Sequence, residues 1–183
     1  MKTYLALDTE TTGLLRPEAT AVHLQPFIIE IYICKFDDDF NILGAVETFI
    51  KPPVPIPDEI TKITGITNDM VLNAPTFIEV YDALVDFVCG EDTIYAQNCT
   101  FDIGMLRNEL ARHDLVTNFP WPKNHKCTVE LSFPLKNKRL SLEKLCAEAG
   151  VEYEKGHRAK NDVLMMIDCI KFLRKEGLDG CLI

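Results

Sequence analysis

Nowhere in the 183 residues does an apolar run approach the ~20 residues needed to cross a bilayer, so a membrane span is excluded. The opening MKTYLALD meets an aspartate after a few apolar residues and lacks the core of a secretory leader. Nine Gly and ten Pro are ordinary usage, which excludes collagen-like and low-complexity chains. No CxxC pair occurs, and His125-x-Cys127 has no second half, so a structural zinc site is not expected. The seven cysteines, at 34, 89, 99, 127, 146, 169 and 181, are odd in number and lie mostly among apolar neighbours. Buried thiols in a reducing compartment explain them, and a cytoplasmic protein is expected. Positive charge is also scarce. Nineteen Lys+Arg face 28 Asp+Glu, a net −9, which argues against a broad electrostatic grip on nucleic acid. That objection weakens if carboxylates bind divalent cations, because two such ions return four positive charges.

The chain does have enough length for one domain with a sizeable core. Tyr4–Leu7 is a short apolar run ending at Asp8, a buried strand. Residues 27–36 are β-branched and aromatic, and 43–50 resemble them, so the polar link DDDFN suggests a hairpin. Residues 14–26 read as a loop, and KPPVPIPDE at 51–59 as an extended connector. Short helical turns are expected near 58–64 and 67–72. A helix over 76–88 has apolar positions 77, 80, 81, 84, 85 and 88 on one face. A strand at 93–97 and a helix at 102–113 follow. Residues 116–139 should be irregular apart from a short strand near 127–129. Helices over 141–150 and 159–175 complete the chain. No repeat or linker is visible, so the expectation is a single α/β domain over 1–183 with a mixed sheet.

Three sites carry chemistry. In DTETTG at 8–13, strand alternation puts Asp8 and Glu10 on one side, where they repel unless a cation sits between them. Hard divalent ions suit that need, and a solvated strand end with two exposed acids is the ordinary alternative. Asp102 falls in the first turn of a helix after a buried strand, a position the helix dipole favours in any case. In GHRAKND at 156–162, five helical steps leave His157 and Asp162 roughly 140° apart. They converge only if His157 lies on the loop after Gly156 and Asp162 within the helix. The apolar residues after Asp162 make an unpaired carboxylate there costly, so a metal or an ordinary salt bridge is required.

Together these motifs resemble those of the DEDDh 3′→5′ exonucleases. Asp8 and Glu10 match the first motif, Asp102 in NCTFDIGML the second, and His157 with Asp162 the third. FIKPPVPIPDEITKITGIT and LSLEKLCAEAGV extend the resemblance across nearly the whole chain. It implies a ribonuclease H-like fold, a mixed central sheet flanked by helices, and removal of nucleoside 5′-monophosphates from single-stranded 3′ ends. Asp8, Glu10, Asp102 and Asp162 would hold two Mg²⁺ or Mn²⁺, with Asp8 bridging, and His157 would act as general base. By similarity, Thr11 and Thr12 would meet the terminal nucleotide, and Leu14, Ile63, Thr64 and Phe101 would line its base. Leu14, Ile63 and Phe101 as plain core residues is the alternative.

Between 123 and 160, nine Lys/Arg outnumber five Glu, and Lys136–Arg139 is the expected phosphate contact, a solvated loop being the alternative. Position 97 is Gln where many relatives carry His, 99 is Cys where Ala is usual, and Tyr32 replaces a common Gly. DTETTG resembles the proofreading branch, which implies DNA as the favoured substrate and a DNA polymerase as a partner. An exoribonuclease acting on RNA ends, or a non-catalytic nucleic-acid-binding subunit on the same fold, are the alternatives.

Overall fold

The computed structural model describes residues 2–16 and 21–180. Five strands form one sheet in the order β3-β2-β1-β4-β5. β1 (Thr3–Thr11) pairs antiparallel with β2 (Ile28–Asp37), which continues antiparallel to β3 (Ile42–Phe49). On its other side β1 runs parallel to β4 (Thr93–Ala96), itself parallel to β5 (Asn124–Cys127). Helices follow in chain order: α1 (Asp58–Thr64), α2 (Asn68–Val71), α3 (Phe77–Val88), α4 (Cys99–Ala111), α5 (Thr128–Leu131), α6 (Phe133–Lys136), α7 (Leu142–Ala149) and α8 (Ala159–Lys175). The expected mixed sheet flanked by helices is present.

Because helices cover both faces, β1 is apolar on both, and its alternation sorts side chains between two layers. Tyr4 and Ala6 pack with Tyr32, Cys34 and Tyr95 under α7 and α8. Leu5 and Leu7 pack with Ile31, Ile33 and Ile94 under α3 and α4. By this parity Asp8 and Glu10 face the α8 layer, while Thr9 faces α4. A smaller cluster of Ile29, Ile56, Ile66 and Val71 seats α1 and α2.

Local signals set the helix ends. Glu79 accepts hydrogen bonds from the Thr76 amide and hydroxyl (2.8 and 2.7 Å), capping α3. Ser141 accepts from the Lys144 amide (3.4 Å) at the start of α7, and Gly150 ends it at φ 69°. Arg112, just past α4, pairs with Glu109 at 2.8 Å. It also donates to the carbonyls of Val22, Gln25 and Pro26, pinning the β1–β2 connection onto the helix.

Several expectations need correction. β1 runs on through Thr11 rather than stopping at Leu7, since β2 pairs with it as far as Ile28. The loop expected at 14–26 contains a short 3₁₀ turn at Val22–Leu24, and residues 17–20 lie outside the described residues. α4 begins at Cys99, three residues early, with Asp102 still in its first turn. The strand expected near 127–129 is β5, displaced N-terminally because β4 pairs with Asn124 through Cys127. Residues 128–136 form two single helical turns, the second with proline near its start. Cys34, Cys99, Cys127, Cys146 and Cys169 are buried, Cys89 is exposed, and Cys181 lies outside the described residues. Among the described residues no helix is long and apolar enough to cross a membrane.

Candidate active site

The C-terminal end of β1 brings the acids together from both layers. Asp8 and Glu10 project toward α8, whose first turn supplies Asp162. Asp102 arrives from the first turn of α4, on the other side. Thr9 bridges the two: its amide and hydroxyl both donate to Asp102 Oδ1, at 3.1 and 2.8 Å. Thr9 was not singled out in the sequence; its parity opposite Asp8 and Glu10 is the signal that places it there.

His157 lies on the loop between Gly156, at φ 123°, and Arg158, the residue before α8. Its Nδ1 is 3.8 Å from Asp162 Oδ2. Ligand atoms of Glu10, His157 and Asp162 all fall within 4.8 Å of one another. The loop-and-helix arrangement required for convergence is therefore the one adopted.

The electrostatics are those of crowded carboxylates. Burial, then Asp102, Glu10 and Asp162, push the Asp8 carboxyl well above the usual range. Burial with Asp162 and Glu30 nearby takes Glu10 to about 8. Asp102 rises to about 7 through burial, held back by its hydrogen bonds from Thr9. Burial lifts Asp162 to about 6, with His157 opposing it. Asp162 Oδ1 is buried with no hydrogen-bond partner. Such an orphaned oxygen beside three further acids fits a hard divalent cation with oxygen ligands.

The acids open into a cleft of about 760 Å³. Thr11, Leu14, Ile63, Thr64 and Phe101, the residues expected to meet the terminal nucleotide, line it. Leu14 is 79% and Ile63 54% exposed, so neither is a core residue, and Phe101 is half-buried. Thr12 is not among the lining residues: its hydroxyl accepts from the Phe27 amide (2.9 Å), tying the end of β1 to the start of β2. Of the basic loop, Arg139 lines the cleft, whereas Lys136 is paired with Glu148 at 3.0 Å. Gln97 also lines it, donating to the Leu140 carbonyl (3.2 Å) and accepting from the Thr128 hydroxyl. The glutamine that departs from the usual histidine thus braces the loop that carries Arg139. Tyr153, unremarked in the sequence, lies on the same wall.

This fold and acid cluster define an exonuclease, and the sequence model of the RNase T exonuclease family matches residues 5–170. The chain belongs to that family, the DEDDh exonucleases, which are hydrolases acting on phosphodiester bonds and use divalent metal ions. It is 31% identical over 171 residues to the DNA polymerase III subunit epsilon of Treponema pallidum, covering 90% of this chain and 73% of that one. It is 31% identical over 173 residues to the PolC-type DNA polymerase III of Clostridium perfringens, covering 94% of this chain. The chain spans only 11% of that polymerase's length. In structure it resembles the nuclease domain of 3′hExo, a DEDDh family member bound to rAMP, with a TM-score of 0.77 and 16% identity. That match covers 97% of this chain and 94% of the other. The likeness establishes the ribonuclease H-like fold.

Proposed function

We propose that this chain shortens single-stranded nucleic acid from its 3′ end, DNA in preference to RNA, releasing nucleoside 5′-monophosphates. The observation that carries the reading is the convergence of Asp8, Glu10, Asp102 and Asp162 beside His157 at the floor of an apolar-walled cleft.

Asp8, Glu10, Asp102 and Asp162 would hold divalent ions, Mg²⁺ or Mn²⁺, two of them by the family's chemistry. Two such ions lower the pKa of water and stabilise charge on the oxygens of an in-line displacement. Thr9 fixes the orientation of Asp102. His157, about half-exposed and beside Asp162, takes the proton of the attacking water as the phosphorus–O3′ bond breaks. Leu14, Ile63 and Phe101 offer apolar surface to the terminal base, with Thr11 and Thr64 beside them. Stacking on such surface needs an unpaired base but no particular one, which supports a single-stranded, sequence-tolerant substrate. Arg139, on the lining of the cleft, would meet a backbone phosphate.

The epsilon and PolC relatives support DNA as the substrate and a DNA polymerase as the partner. The five buried thiols support a cytoplasmic setting. Digestion of matched 5′-labelled and 3′-labelled single-stranded DNA and RNA tests the proposal, with Mg²⁺, Mn²⁺ or EDTA present. A shortening ladder from the 5′ label, immediate mononucleotide release from the 3′ label, and silence in EDTA are expected, with DNA faster than RNA. His157→Ala should lower turnover by at least about a hundredfold, and Asp162→Ala should lose it, while both keep the fold. Undiminished turnover in either variant, or in EDTA, removes the assignment. Faster RNA than DNA digestion makes the protein an exoribonuclease instead.

A further inference from the structure

Glu30 is a carboxylate in the middle of the apolar β2 run IIEIYICKF and is only 2% exposed. A lone buried acid there would be costly, so its partners matter. It lies directly opposite Glu10 in the β1–β2 register, which places it beside the acid cluster. Both of its oxygens are engaged by one residue: Arg158 Nε donates to Oε1 and Oε2 (both 3.1 Å), and Arg158 Nη2 to Oε1 (2.6 Å). Oε2 also accepts from the Ala159 amide at 3.1 Å. Ala159 is the first residue of α8, and Arg158 makes no side-chain cap of its own. Glu30 thus caps α8 from across the sheet, satisfying an amide that the helix leaves free. The guanidinium also sits over the Phe49 ring at 5.2 Å, which fixes its plane.

The contacts fall at one critical place in the chain. Arg158 directly follows His157, and its carbonyl accepts from the Asp162 amide at 3.0 Å. On the other side of His157, Gly156 stands at φ 123°, a backbone state open to glycine and strained for other residues, so the turn into the loop is set by the backbone. The imidazole is more than half exposed, and among the described residues its side chain approaches Asp162 at 3.8 Å and Glu10 within 4.8 Å without a hydrogen bond short enough to hold it. Its position over the acids is therefore set by the backbone of Arg158.

We propose that Glu30 is a positioning residue: through Arg158 and the Ala159 amide it fixes the His157 loop on the sheet. This rests on His157 serving as the base. A base displaced by about 1 Å loses on the order of a hundredfold in rate, so the effect falls on turnover rather than on binding. Arg158→Lys loses the two-pronged contact but keeps the charge, and should give a milder form of the same defect.

The test is a double-mutant cycle on the metal-dependent hydrolysis of the 4-nitrophenyl ester of thymidine 5′-monophosphate. Glu30→Gln should lower kcat at least about tenfold and leave KM within about twofold. In a His157→Ala background the same change should cost less than about twofold, because the group it positions is gone. Equal losses in the two backgrounds, or an unaltered kcat, overturn the proposal and leave the pair a plain scaffold contact. Failure of the base assignment would show separately, as full turnover in His157→Ala alone. Amide hydrogen exchange gives a readout free of activity: Glu30→Gln should speed exchange in residues 152–162 and not in α3 or α4. Unchanged exchange there also overturns it. Should Glu30→Gln fail to fold, Arg158→Lys, reached from the exposed side of the pair, carries both measurements.

Discussion

At the residue scale, the division of labour within the site follows from what each side chain can do. An imidazole can accept a proton from water, and general-base catalysis contributes typically about 10²–10⁴-fold. His157→Ala is accordingly expected to cut kcat by about that factor with KM little changed, read from single-turnover digestion of labelled DNA. Thr9→Val tests the orientation of Asp102. It deletes the hydroxyl donor but leaves the amide donor. A loss of one charge-assisted hydrogen bond is worth about 1.5–3 kcal/mol, so activity should fall by about one to two orders of magnitude. An unchanged rate would mean that the amide alone suffices to hold the carboxylate.

At the scale of elements, the cleft is a meeting of the end of β1, the exposed face of α1, the start of α4, the loop from α6 to α7, and the loop and first turn of α8. Ile63 projects from α1, half-exposed, with no core to serve, so Ile63→Ala should leave thermal stability unmoved. It should raise KM for oligonucleotides several-fold, since stacking is worth about 1–3 kcal/mol per base. Arg139→Ala should likewise raise KM and flatten its dependence on salt, as one phosphate contact is lost. By contrast Ile170→Ala on α8, fully buried under the sheet, should cost about 2–5 kcal/mol in a denaturant melt.

The same elements show what the sequence reveals. α7 is legible because apolar period, cap residue and terminating glycine agree at Ser141 and Gly150, α3 from its period and the Thr76 capping box, and α8 from its apolar period alone. The last four residues of β1 are not, because Asp8 to Thr11 are polar for the sake of the site rather than the sheet. β5 is hidden for another reason: NHKC has no alternating pattern and is a strand only because β4 pairs with it. In the site, the five motif residues were visible as types at spacings. Thr9, Gln97 and Glu30 act through partners 31 to 129 residues away, which no local pattern encodes. Thr12 shows the converse, a motif residue whose hydroxyl is engaged by the neighbouring strand.

At the scale of the whole molecule, the acid cluster sets a trade between stability and function. Glu10, Asp102 and Asp162 have folded pKa values of about 8, 7 and 6, and Asp8 is raised as well, all above their values in an unfolded chain. Between about pH 4 and 8 the native state therefore binds more protons than the unfolded one, and stability must fall as pH rises through that interval. The lowered carboxyl of Asp179, held by Tyr95, Lys126 and Arg174, acts below this window, and the His125 imidazole, which burial lowers, opposes the trend within it as one group against four. In EDTA the Tm should decline from pH 5.5 to pH 8. A divalent cation that binds the folded site displaces the same protons, so millimolar Mg²⁺ or Mn²⁺ should raise Tm more at pH 8 than at pH 5.5. Asp8→Asn removes the most crowded charge. It should raise Tm in EDTA at pH 8, shrink the response to the cation, and abolish turnover, the pattern of a site whose repulsion is kept because a cation relieves it. A Tm that rises with pH in EDTA, or a cation effect independent of pH, would mean that these carboxylates do not share one charge cluster.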